Sequence, residues 1–242
     1  MQQQFKFGTS EIPYTLLREI DGKSVKISVE FEHGVEVVAP NDLSQQAIED
    51  ILHKKGSWII QKLDSIASIT TSQPLREFVS GEKFLYLGRR YTLVVEERAE
   101  RRPYLVMRNS AFEASIPPNL ALWERQETIR GLFQKWYQKR AEVRLTEQVN
   151  LFADRYNLHP SDTKVMTMDR RWGSCTPRRV VQLNWRLIMA PIRIIDYLVV
   201  HELCHLDVPD HSDRFWHKVA SILPDYEERR EWLRLNGPTL TV

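Results

Sequence analysis

Residues Val199–Trp216 read VVHELCHLDVPDHSDRFW, an apolar run that abruptly presents two histidines, a glutamate and, just past a proline, a third histidine. With the preceding PIRIIDYL it has the length and composition of a buried helix entered at Pro191, and Pro209 stops it. On such a helix His201 and His205 lie about 40° apart, one turn from each other, so both imidazoles reach a single ion. Glu202 projects from the flank of that face, where a carboxylate takes a proton from water without occupying the coordination sphere. This is the pattern H-E-x-x-H.

Catalytic zinc usually takes three protein ligands and leaves one position open. His211 follows the stop at Pro209, where the chain can fold back, giving H-E-x-x-H-x5-H; His217, inside the next expected helix, is the rival. The plainer reading is a polar stripe on a half-buried helix. Against it, a glutamate and two histidines among Ile194, Ile195, Leu198, Val199 and Leu203 are costly to bury unless something pairs with them, as a divalent cation does. Cys204 points about 60° away from His201 and reads as packing. Cys175 has no visible activating partner and reads as inert.

The setting of this helix is an α+β chain. VKISVEFEHGVEVVAP alternates about His33-Gly34 as a hairpin does, and QQAIEDILHKKGSWIIQKLDSIA reads as two short helices broken at Gly56-Ser57. FLYLGRRYTLVVEE and PYLVMRNSAFEASIP each hold two strands, turning at Gly88-Arg89 and Asn109-Ser110. Beyond Pro117-Pro118 a proline-free segment, LALW through RYNL, reads as one long or kinked helix. TKVMTMD and VVQLNWRLIM are expected strands flanking the link WGSCTPRR. Ser212 is expected to cap a helix over DRFWHKVASIL, and Asp225 to start a last one through Leu235. These elements place a boundary near Pro118: a β-rich region over 1–118 with two short helices, then a catalytic region over 119–242. No internal repeat is visible.

Composition narrows the function classes. The 242 residues are 42% hydrophobic and 10% aromatic, enough for a packed core, and 34 basic against 32 acidic side chains leave a formal charge of +2. That balance argues against a nucleic-acid or anionic-membrane partner held by bulk charge. Two cysteines are too few for a disulfide framework, and the N-terminus has neither a basic nor an apolar signal region; with no membrane-length apolar run, a cytoplasmic location is expected. Local charge is another matter. From Lys164 to Arg193 there are seven basic residues and one acidic, Asp169. A solvated face is the usual meaning, yet Arg170, Arg171, Arg178, Arg179 and Arg186 could bind carboxylate or phosphate beside a metal.

Four blocks in order, RRWGSC from Arg170, QLNWRLIMAP from Gln182, IDYLVVHELCHL from Ile195 and HSDRFW from His211, resemble the YgjP-like zincins, relatives of SprT-like and WLM metallopeptidases. GEKFLYLGRRYTL from Gly81 is similar to the family's N-terminal half. The resemblance implies His201, His205 and His211 as ligands of one zinc ion, Glu202 as general base, and a zincin-like α+β domain. It also implies an antiparallel or mixed sheet whose edge strand, near the RWGSC and LNWRL blocks, packs over the active-site helix and can receive an extended peptide. Arg171, Trp172, Gly173, Ser174 and, from the basic stripe, Arg178 become candidates for the substrate cleft.

Three functions follow as expectations. The first is a zinc metallopeptidase acting on peptide or protein. The second puts the same ion to work on a nucleoside triphosphate, since the YgjP-like group also carries a UTP pyrophosphatase assignment and the arginine stripe would suit a triphosphate. The third is a factor acting on nucleic-acid-bound proteins, as SprT-like relatives do, which nothing like an added DNA-binding module supports.

Overall fold

Asn109 and Ser110 both take positive φ, 47° and 62°, as do Leu87 and Gly88, 47° and 76°. Two-residue loops of this hand match the twist of the strands they join, so each closes a tight hairpin. The computed structural model describes residues 2–19, 24–30, 34–71, 76–99, 102–168 and 171–242. Close packing divides the chain into two units, Met1–Gln73 with Asp169–Arg171, and Pro74–Met168 with Trp172–Val242. The boundary expected near Pro118 falls inside the second of these.

The first unit holds β1 (Gln2–Phe7), β2 (Ser10–Glu19), β3 (Lys26–Glu30), β4 (Gly34–Pro40) and α1 (Gln45–Thr71). The sheet runs β1-β2-β4-β3: two antiparallel hairpins joined by a parallel pairing of β2 with β4. The hairpin expected over Val25–Pro40 is β3–β4; its turn, with His33, lies outside the described residues. The β1–β2 hairpin was not foreseen. Ile48, Leu52 and Ile59 of α1 are buried in one cluster with Phe5, Tyr14 and Val37. The break expected at Gly56 is absent, because that glycine serves packing: a Cβ there would overlap the Phe7 ring.

The second unit repeats the plan. Strands β5 (Lys83–Tyr86), β6 (Arg89–Glu97), β7 (Tyr104–Arg108) and β8 (Ala111–Ile116) run β5-β6-β8-β7, again two hairpins joined by a parallel central pair, and α2 (Leu122–Tyr156) follows. The structure therefore carries a repeat of topology where the sequence showed none. In α2 the residues Ile129, Phe133, Tyr137, Ala141, Leu145 and Val149 are all fully buried. A spacing of four overshoots one turn by about 40°, so this stripe winds about 200° around the helix between Ile129 and Val149. Its first half stacks Phe133 on Phe84, ring centroids 4.0 Å apart. Its second half faces the rest of the unit, where Gln148 donates to the Asp196 carboxylate at 2.5 Å.

That remainder begins with a mixed three-stranded sheet, β10-β11-β9, of β9 (Asp162–Met166), β10 (Gly173–Cys175) and β11 (Val180–Asn184). Strand β10 is at its edge, antiparallel to β11, which is parallel to β9. The strand expected to run on through WRLIM stops at Asn184, and Trp185–Met189 form a 3-10 turn. Asn184 explains the stop: its side chain accepts from the Arg186 N–H at 3.1 Å and donates to Met168 O at 2.7 Å. The chain then enters α3 (Ile192–Cys204) behind Pro191, followed by α4 (Asp213–Ile222) and α5 (Tyr226–Asn236), close to the expected limits. Leu87 and Gly88 donate to Ile188 O and Met189 O at 2.9 and 3.1 Å, and a Cβ on Gly88 would stand 2.8 Å from Pro191. The β5–β6 turn thus abuts the start of α3. Among the described residues, no helix is long and apolar enough to cross a membrane.

Candidate metal centre

Helix α3 is almost wholly buried, including His201 at 1% and Glu202 at 0% exposure. It closes at Cys204, and His205 is its C-cap. The next turn is held by Leu206, Asp207 and Val208 N–H groups on Leu203 O and Cys204 O, after which Pro209 and Asp210 lead back to His211 and the Ser212 N-cap of α4. Ser212 itself makes no side-chain cap; its N–H donates instead to Asp210 Oδ1 at 3.1 Å.

This reversal brings three imidazoles together. His201 and His205 Nε2 are 3.2 Å apart, His205 and His211 Nε2 3.2 Å, and His211 and His201 Nε2 3.0 Å. Three nitrogens about 2.0–2.1 Å from one tetrahedral zinc ion would stand about 3.3 Å from each other, so the triangle has the right size. Tautomers agree with it. His205 Nδ1 lies 3.0 Å from Val208 O, a carbonyl that can only accept, so the proton sits on Nδ1 and the Nε2 lone pair faces the other two rings. The three histidines are a group that could hold a metal ion. His217 is exposed on α4 and outside that group.

Aromatic rings that sequence reasoning gave no role hold the imidazoles in place. Phe215, fully buried, stacks on His205 at 4.3 Å and 23° and meets His201 and His211 edge-on, each at 4.9 Å. Trp216 stacks on His211 at 5.6 Å and on Tyr226 at 5.3 Å, with the Arg230 guanidinium 4.6 Å over its ring. Their signal was present in HSDRFW: Phe215 stands four residues beyond His211, the spacing that brings side chains together on a helical turn, and Trp216 follows it directly.

Strand β10 passes next to α3. A Cβ on Gly173 would come within 2.5 Å of Glu202 Oε1, so the carboxylate lies directly against this glycine. Of the other cleft candidates, Trp172 is 2% exposed with its indole packed on Gly237, and Ser174 donates to Gln182 Oε1 at 3.0 Å. Arg178 is exposed in the β10–β11 loop, and Arg171 groups with the first unit. The arginine stripe is partly committed elsewhere. Arg179 donates to Leu206 O and His159 O, Arg186 lies over the Trp185 ring, and Arg170 is outside the described residues.

Both cysteines are protected from ionising. Burial pushes the Cys175 thiol up to about 11, with the Glu202 charge acting in the same direction and Arg179 opposing. Burial pushes Cys204 up to about 12, so neither is a thiolate near neutral pH.

A model of the family described as YgjP-like, metallopeptidase domain matches residues 23–236. The chain belongs to the YgjP-like family. The match spans all five blocks of the resemblance, from Gly81 to Trp216, and the family is one of metallopeptidase domains. Among solved structures, the metallopeptidase zymogen of Pyrococcus abyssi abylysin is similar over 36% of this YgjP-like chain and 88% of its own, at 16% identity and a TM-score of 0.33. No curated protein matches.

Proposed function

We propose that this YgjP-like protein is a zinc metallopeptidase in which His201, His205 and His211 hold the ion and Glu202 is the general base. The observation that carries the reading is the convergence of three Nε2 atoms within 3.2 Å, one residue from a fully buried carboxylate. The donor set fits zinc, which takes neutral imidazole nitrogen readily and leaves a fourth position when three histidines bind. When bound, the ion supplies Lewis acidity, making water a nucleophile near neutral pH and polarising an acyl oxygen.

The chain's own residues do the rest. Val208 O keeps the His205 proton on Nδ1, and Phe215 and Trp216 fix the imidazole planes and keep water from one side of them. Glu202, next to strand β10, accepts the proton of the attacking water at its carboxylate and returns it to the leaving amine. The edge position of β10 suits an extended peptide laid beside it, which makes peptide or protein the substrate class.

The test compares zinc-loaded protein with its Glu202→Gln variant on denatured protein substrates and on nucleoside triphosphates including UTP, with metal content measured in both. Peptide cleavage that falls by about 10³-fold or more in the variant, at unchanged zinc content, is expected. Wild-type turnover in the variant overturns the role of Glu202. Hydrolysis of UTP with proteins untouched overturns the peptidase reading.

A further inference from the structure

Gly173 is the place where the edge strand comes closest to the H-E-x-x-H helix. Besides the 2.5 Å approach to Oε1, a Cβ there would stand 2.8 Å from Glu202 Cγ and 2.9 Å from Cδ. Separations under 3 Å between carbons are not tolerated, so any side chain at 173 must displace something. The backbone conformation gives no reason for the glycine: Gly173 lies in a paired strand, opposite Leu183, and is not among the residues with positive φ. Its lack of a side chain is needed for space alone.

What would yield is decided by how each partner is held. The strand is pinned on both sides of Gly173. Before it, Trp172 O accepts from Asn184 N–H at 2.7 Å and the indole is lodged against Gly237, where a Cβ would stand 2.9 Å from Nε1. After it, the Ser174 hydroxyl donates to Gln182 on the neighbouring strand. Helix α3 is pinned as well, with Ile194, Leu198, Val199 and Leu203 all fully buried or within 1% of it. The Glu202 side chain, with its rotatable bonds, is the softest member of the contact.

We infer that Gly173 is a positioning residue: its missing side chain leaves the space that the Glu202 side chain occupies, and so permits the rotamer that places the base relative to the three histidines. This rests on the metallopeptidase reading for the use made of the base, but the contact itself is independent of the substrate. It also assigns to Gly173 a task different from touching substrate. A 1 Å misplacement of a catalytic group is enough to cost about 100-fold in rate.

The experiment uses the zinc-loaded protein and three variants, Gly173→Ala, Glu202→Ala and the double variant, and reads zinc content, melting temperature and affinity for acetohydroxamate. That probe chelates the metal and shares a proton with a neighbouring carboxylate, so it reports the base without needing the substrate. The expected result is unchanged zinc content in all four proteins, acetohydroxamate binding weakened about tenfold or more by Gly173→Ala, and no further weakening when that change is added to Glu202→Ala. With a cleaved substrate, kcat should fall about 10- to 100-fold while KM moves less than about threefold.

Equal loss from Gly173→Ala in both backgrounds, or no loss at all, overturns the inference and leaves an ordinary packing glycine. If Gly173→Ala fails to fold, the double variant decides: recovery of the melting temperature supports the contact, and continued unfolding overturns it. Failure of the wild type to retain zinc sinks the metal-site reading instead, a distinct outcome.

Discussion

In the first sheet, helix α1 crosses the strands with a glycine at its centre and borrows a ring, Phe7, from strand β1. In the second, helix α2 brings rings of its own, Phe133 and Tyr137, and lays them on Phe84 and Phe112 of the strands. Strand order, pairing sense and the helix that follows are the same in both. Both sheets carry rings, but the second helix adds Phe133 and Tyr137 where the first buries Ile48, Leu52 and Ile59. The second difference is reach. The buried stripe of α1 serves one sheet, whereas that of α2 winds on to meet the 3-10 turn, α3 and β9, so the second module also supports the helix that carries His201 and Glu202.

The comparison breaks most sharply at the boundary. A fragment of residues 119–242 keeps α2 and the histidines but loses the sheet on which Phe133 packs and the turn that abuts Pro191. It is expected to lack a cooperative melting transition and to bind no zinc, while residues 74–242 retain both. Calorimetry and metal analysis of the two fragments check this, and a folded, zinc-binding 119–242 would show that the module is dispensable.

Next in size is Phe133→Ala. It removes a fully buried ring stacked at 4.0 Å on Phe84, and an aromatic-to-alanine change in a core costs about 3–5 kcal/mol. A denaturant midpoint that hardly moves would mean the rings of the sheet close over the gap. The smallest effect is expected from Gly56→Ala, which crowds Phe7 in the first module at a cost of about 1–3 kcal/mol. Zinc content should stay at the wild-type level. Loss of zinc on this change would show that the two modules are not separate supports.

Legibility in the sequence followed the same division. Elements whose signals are local were readable: the turns at Asn109-Ser110 and near Gly88, the proline-free run of α2, Pro191 opening α3, and Ser212 and Asp225 starting the last helices. So was the group His201, His205 and His211, because helix spacing and one proline turn determine it. What depends on tertiary partners was not. Gly56 carries a breaker's identity inside a continuous helix because only the folded chain shows Phe7 standing over it. The repeat stayed hidden because matching positions keep apolar character without identity: Tyr14 pairs with Val35 where Leu93 pairs with Phe112. WRLIM looks like a strand until Asn184 turns it. The closeness of Gly173 to Glu202 joins residues far apart in the chain, and no spacing rule reports such a contact.

The winding stripe of α2 has a consequence for how this chain can change length. Because its two halves bury different faces, one residue inserted near Arg140 would turn everything beyond by about 100°, swinging Leu145, Val149 and Gln148 away from their seats while the aromatic half stayed on its sheet. Loops on the surface can lengthen or shorten freely. This helix cannot, and its residue count is as much a part of the protein's specification as the histidines themselves.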